Sequence, residues 1–228
     1  MNSSSISFSP AIRAACLALA MGVPLLLGAC AAPVAQQIDY TAFRQSRPRS
    51  ILVMPPVNQS PEPKAALSFL AAATVPLAEA GYYVIPVALA SETFKQNGVT
   101  VAEEAQTIKL DKLRKIFGAD AALYITITRY GASYRVISSA VEAAASAKLI
   151  DLRTGQELWS GQANIVLQNN NSGGGLAGIL IGAVVDQIVN TVSDQSYKAG
   201  RMADYRMLSA GHQNSILFGP YHPKFATD

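Results

Sequence analysis

The chain has 228 residues, half of them hydrophobic and 14% charged, with a formal net charge of +3 at pH 7. That balance excludes an intrinsically disordered chain and gives no electrostatic case for nucleic acid, leaving at most a slight preference for anionic surfaces. The two cysteines, Cys16 and Cys30, both lie near the N-terminus, so the body of the chain has neither a disulfide nor a free thiol to use.

The stretch from Arg13 to Cys30, RAACLALAMGVPLLLGAC, has one basic residue followed by an apolar run that Pro24 interrupts and that is too short to span a bilayer. It ends in Leu27-Gly28-Ala29-Cys30, an apolar residue, two small ones and a cysteine. Residues 1–29 therefore read as a lipoprotein signal peptide and Cys30 as the lipid attachment site; the competing reading is an ordinary signal followed by an incidental cysteine. Residues 30–49 read as a tether whose small residues, glutamines and Pro33 make a flexible spacer. Ala31 stands where an aspartate commonly holds bacterial lipoproteins in the inner membrane, so the expected location is the outer membrane, periplasm-facing. Tyr40, Phe43 and Arg44 have the look of a short docking segment, and Arg47-Pro48-Arg49 of an extended approach to a strand. Those two arginines are either a headgroup contact or, more simply, a solvated turn.

Residues 50–210 read as one α/β domain. Ser50 to Val57 is a continuous apolar run of strand length closed by two prolines, as in a strand buried on both faces. Lys64 to Ala80 is alanine-rich and helical, with Leu67, Leu70, Val75 and Leu77 as the candidate buried side and Pro76 as a kink or new start. Gly81 closes it and Tyr82 to Val87 forms a second strand, completing a βαβ unit. A short helix from Ala88 to Gln96, a turn at Asn97-Gly98 and a helix from Val101 to Phe117 broken near Asp111 follow. From Ala121 to Thr128 the pattern alternates, Leu123, Ile125 and Ile127 against Tyr124, Thr126 and Thr128, which predicts a half-buried strand. Tyr134 to Leu152, a hairpin turn at Asp151 to Gly155, and Gln156 to Gln168 extend it into an antiparallel meander, with Trp159 as a packing anchor. The fold class is thus a mixed sheet with an N-terminal βαβ unit and a C-terminal meander, packed with helices.

Asn169 to Gly175 is a polar, glycine-rich loop, and Leu176 to Val192 an apolar helix broken by Asp186. Gly174, Gly178 and Gly182 recur every four residues and would line one helical face that another helix or a membrane can approach closely. A buried core helix, an oligomer contact and a membrane-inserting element are the three readings, in that order, because the apolar run falls short of a span. Gln195 to Leu208 continues as a polar helix, and residues 211–228 form an irregular tail.

No nucleotide-binding glycine loop, no phosphate loop, no Gly-x-Ser-x-Gly elbow and no metal-ligand spacing occurs in the sequence. His212 and His222 sit in the tail without a neighbouring carboxylate and read as surface residues. Glu103 and Glu104 are adjacent and point about 100° apart on a helix, poor geometry for a carboxylate pair. Asp120 reads as a turn or cap residue. No catalytic, cofactor or metal site is assigned.

Four blocks, PRSILVMPPVNQS (48–60), TVPLAEAGYYVIPV (74–87), FKQNG (94–98) and FGADAALYI (117–125), resemble in order a family of bacterial lipoproteins that includes a meningococcal genome-derived surface antigen. Members look like the N-terminal domain of TolB and the periplasmic domain of the secretion lipoprotein CsgG. The resemblance implies a lipid-anchored α/β domain, a homodimer as one arrangement, and work beside a CsgG-like lipoprotein in an envelope assembly; it carries over only Cys30 as a functional position. The expected function is a non-catalytic binding or assembly subunit, with a periplasmic hydrolase and a membrane-inserting element as the alternatives.

Overall fold

The computed structural model describes residues 38–134, 139–168, 185–225 and 227. The organising strand is β1 (Ser50–Val53), whose neighbours on both sides are parallel: β3 (Tyr83–Val84) and β4 (Ala121–Tyr134). Ile51, Leu52, Val53 and Met54 are all buried. Ile51 and Val53 enter one core and Leu52 and Met54 the other, which is why the run shows no polar alternation.

The first core closes under helices α2 (Ala65–Ala72), α3 (Thr74–Glu79) and α7 (Val185–Leu208). The second closes under α4 (Val87–Gln96), α5 (Ala102–Ala105) and α6 (Leu110–Phe117). The apolar run does not end at the prolines: after Pro55-Pro56, which cannot donate to a ladder, Val57–Asn58 resumes as β2, parallel to β4. The sheet order is β3-β1-β4, then β5 (Ser139–Asp151) and β6 (Glu157–Gln168), with β2 beside β4.

The expected helix over residues 64–80 is two helices separated at Ala73, and Pro76 falls in the first turn of the second, where a missing N–H costs nothing. This break resets the helical phase. Leu70 and Leu77 are buried as expected, but Leu67 is 71% and Val75 51% exposed, and Ala65, Phe69 and Ala72 occupy the buried face instead. The second strand, expected over 82–87, shortens to two residues because Pro86 stops the pairing and opens α4. The helix expected over 101–117 is likewise two, interrupted just before Asp111, which sits in the first turn of α6 where a carboxylate suits the helix dipole. Gly118, at φ 65°, ends α6 in the left-handed conformation.

The meander of β4, β5 (Ser139–Asp151) and β6 (Glu157–Gln168) is antiparallel throughout. Leu123, Ile125 and Ile127 are buried, while Tyr124 and Thr126 are half-buried and Thr128 is exposed. A bulge between Ile127 and Arg129 shifts the register against β5. Helix α7 lies against β4, β5, β6 and α2. It comes close because both surfaces are small: Ala143, Ala145 and Ala147 on β5 share the first core with Ala199 and Ala203 on α7, and Gly200 faces Tyr130, Ser68 and Phe69. A methyl group on Gly200 would stand 2.9 Å from the Tyr130 ring. The described helix begins at Val185 with Asp186 as its second residue, and residues 176–184, the rest of the stretch expected to break there, lie outside the described residues. Gly174, Gly178 and Gly182 lie outside the described residues, as do Cys30 and the whole of 1–37.

Candidate functional site

Helix α1 (Thr41–Ser46) carries Phe43 into the first core, where it is buried and meets the edge of the Tyr40 ring at 6.4 Å. The helix stops at Arg47, a non-glycine residue at φ 44°, whose N–H bonds the Phe43 carbonyl at 2.9 Å. The segment read as a docking element is therefore a packed helix. Its partner is the C-terminal tail: the Tyr40 hydroxyl donates to the Ser215 carbonyl, and the Ile38 N–H to Asn214 Oδ1 at 3.3 Å.

That tail is irregular but anchored along its length. Trp159 Nε1 donates to the Asn214 carbonyl at 3.0 Å and the Tyr82 hydroxyl to the Leu217 carbonyl. Gly219 N–H bonds the Ala80 carbonyl at 2.7 Å and Tyr221 N–H the Gly81 carbonyl at 3.1 Å. Ile216 and Leu217 are buried in the first core. Glycine is required at two of these contacts: a Cβ on Gly81 would meet His222 N at 2.5 Å, and one on Gly219 would meet the Gly81 carbonyl oxygen at 2.3 Å.

The β5–β6 turn is stitched to the same region. The Asp151 carboxylate accepts the N–H groups of Arg153 (2.7 Å) and Thr154 (3.0 Å), Arg153 Nη2 (3.0 Å) and the Ser46 hydroxyl at the end of α1. Arg153 Nη2 also reaches the Ser46 carbonyl at 2.7 Å. Burial works to raise the Asp151 carboxyl, but these donors from Arg153, Ser46 and Thr154 outweigh it and hold the group down at about 2.

Between α1 and the tail a hollow of about 200 Å³ opens, lined by Phe43, Arg44, Arg47, Pro48, Tyr82, Leu217, Phe218 and Phe225. Its floor is aromatic and aliphatic, and its rim is cationic. Lys224 stands beside it, with Nζ 6.0 Å from the centre of the Phe218 ring, and Arg44 lies over Tyr40 at 5.8 Å. The Phe218 ring in turn stacks on His222 at 4.1 Å. The sequence reading named Tyr40, Phe43, Arg44 and Arg47 but missed Phe218, Lys224 and Phe225. The only signal for these was the density of rings and prolines in LFGPYHPKF (217–225), which marks a folded tail more than a free one.

The other residues singled out in the sequence take ordinary roles. Asp120 accepts the backbone N–H groups of Arg49 (2.9 Å) and Ser50 (3.3 Å), tying the start of β1 to the loop before β4. Glu103 and Glu104 are exposed in the first turn of α5. His222 Nδ1 accepts the Lys224 N–H at 3.0 Å, and His212 is exposed beside the Gln213 carbonyl. Among the described residues no group of three or more histidine, cysteine, aspartate or glutamate side chains is placed to hold a metal, and no helix is long and apolar enough to cross a membrane.

Two further features were not foreseen. Asp204 on α7 is fully buried with both carboxylate oxygens lacking a hydrogen-bond partner, and burial raises it well above the usual carboxylate range. Strand β6 ends the sheet and, among the described residues, pairs with β5 alone. Helix α1 packs beside it, and α7 covers one face, leaving Ser160, Gln162, Asn164 and Val166 exposed on the other.

The profile of the family described as "Putative lipoprotein GNA1162-like" matches residues 38–221, the span from the first described residue through α1, the sheet and α7 into the tail. The chain belongs to the GNA1162-like lipoprotein family. It is 48% identical over 204 residues to "Putative lipoprotein NMB1124/NMB1162" of Neisseria meningitidis serogroup B, covering 90% of this chain and 95% of the relative. The crystal structure of lipoprotein GNA1162 from Neisseria meningitidis is 52% identical, with a TM-score of 0.52 over 63% of this chain and 99% of that one. The resemblance drawn from the four sequence blocks is thus correct as to family, and the α+β fold agrees with the solved GNA1162-like structure. Membership places the chain with the membrane-anchored lipoproteins of the cell envelope.

Proposed function

We propose that this GNA1162-like protein is an outer-membrane lipoprotein, acylated on Cys30 and facing the periplasm, whose domain is a non-catalytic binding or assembly subunit of an envelope complex. The observation that carries the binding role is the terminal strand β6, twelve residues long and paired on one side only among the described residues. Such an edge presents a row of backbone donors and acceptors to which an extended segment of another chain adds as a further strand. Side chains at 162, 164 and 166 then supply selectivity from the exposed face. An anchor confines the search for that segment to the membrane surface, which raises its effective concentration without any new contact. A CsgG-like lipoprotein is the partner suggested by the family resemblance, and a second copy of the chain is the alternative strand donor.

The test is photocrosslinking in intact cells from a benzophenone amino acid placed at Gln162 or Asn164, with Glu103, exposed on α5 and not on β6, as the control. The reading expects a discrete protein adduct from the two β6 positions and none from position 103; an adduct at twice the monomer mass identifies self-pairing. Equal labelling at all three positions, or none at β6, contradicts it.

A further inference from the structure

We infer that the hollow between α1 and the C-terminal tail is a binding site for the headgroup of an anionic phospholipid in the membrane that holds the protein. The inference rests on the proposed acylation of Cys30 for its geometry and on the hollow itself for its chemistry.

The hollow joins two unlike surfaces. Phe43, Tyr82, Phe218 and Phe225 make an aromatic floor suited to glycerol carbons and the first methylenes of an acyl chain. Arg44 and Arg47 stand at its rim, and Lys224 stands beside Phe218. Arg47 and Lys224 are exposed, and neither has a carboxylate within ion-pair distance among the described residues. The Arg47 side chain donates only its Nε, to the Arg44 carbonyl at 3.3 Å, so the outer guanidinium nitrogens remain for a phosphate. Asp39, which Arg44 influences, has its carboxylate engaged by the Thr41 N–H at 2.9 Å. Arg47 and Lys224 therefore bring two cations to the mouth that no described carboxylate pairs with.

The chain between Cys30 and Ile38 spans eight peptide links, and eight extended residues reach at most roughly 29 Å. The hollow is lined by the helix that begins three residues after Ile38, so acylation of Cys30 would limit its separation from the bilayer to a few tens of ångströms at most. An amphipathic anion presented at that distance matches an aromatic floor with a basic rim, whereas a free phosphate would leave the floor unused.

The test is native mass spectrometry of the mature, full-length lipoprotein released from uncharged maltoside micelles. It is titrated with phosphatidylglycerol bearing six-carbon chains, the matching phosphatidylcholine, inorganic phosphate, and a short peptide ending in an apolar residue with a free carboxylate. One bound phosphatidylglycerol, in preference to the other three, is the expected result. Arg47→Asn, chosen because asparagine tolerates the left-handed backbone, and Lys224→Gln should each weaken it about fivefold, the ratio matching ~1 kcal/mol per basic residue at an anionic surface. Lys112→Gln, on α6 and outside the lining of the hollow, should leave it unchanged. Equal binding of phosphate or phosphatidylcholine, tighter binding of the peptide, no binding, or insensitivity to both variants overturns the inference. The same spectrum reports whether Cys30 carries its lipid, so a failed anchor and a failed headgroup site are read separately.

Discussion

Trp159 packs against Gly161, two residues along the same strand: a Cβ on Gly161 would stand 2.2 Å from the indole ring. The glycine leaves the space that lets the ring turn toward the tail and give its N–H to the Asn214 carbonyl. Gly161→Ala is therefore expected to overpack the strand and destabilise the domain by about 1–3 kcal/mol. Trp159 is the only tryptophan, so its fluorescence in a urea titration reads the loss directly, as a lowered midpoint with an unchanged slope.

The tail should detach when its glycines are filled. Gly219→Ala sets a methyl group against the Gly81 carbonyl oxygen, and Gly81→Ala adds both a clash with His222 and an L-residue at φ 90°. Either change should expose the C-terminal segment to limited proteolysis near residues 210–215 while β4 and β5 keep their hydrogen-exchange protection. Unaltered cleavage would show that the tail contacts contribute little.

Asp151 and Asp204 should give opposite pH signatures. The folded Asp151 lies at about 2 against an ordinary 3.8, so its contribution is present above 3.8 and is lost as the pH falls toward 2. That shift corresponds to roughly 2 kcal/mol at neutral pH. Asp151→Asn should cost about that much at pH 7, with the gap from the native protein narrowing between pH 4 and pH 2 in urea midpoints.

Asp204 is raised, so its effect runs the other way: the fold is unpenalised below the unfolded value of 3.8 and loses stability as the pH rises toward the folded one. Asp204→Asn should remove that dependence. Its stability relative to the native protein should increase as the pH rises above 4, and a flat difference would mean that the carboxylate finds a partner in solution.

How much of this was legible in the sequence follows from where the information sits. The alternation of Leu123, Ile125 and Ile127 and the unbroken Ile51 to Met54 run are local patterns tied to the pleat, and both strands form where those patterns place them. The buried faces of α2 and α3 depart from expectation because an alanine-rich segment carries little amphipathic contrast, so Leu67 and Val75 look like core while Phe69 does the packing. The hollow was illegible for another reason. Its walls come from residues 43–48, 82 and 217–225, and contacts such as Ser46 to Asp151, 105 residues apart, leave no periodic trace. Asp204 was invisible in the same way, since only the packing of α7 on the sheet makes it interior.

The claim on which the functional account depends is the acylated Cys30, and intact-mass measurement of the protein extracted from separated cell fractions tests it most directly. The account predicts a chain beginning at Cys30, heavier than its sequence by a diacylglyceryl group and an amide-linked acyl chain, recovered with the outer membrane, and retained as an unacylated precursor in Cys30→Ala. A soluble protein that still carries residues 1–29 and an unmodified thiol would contradict it.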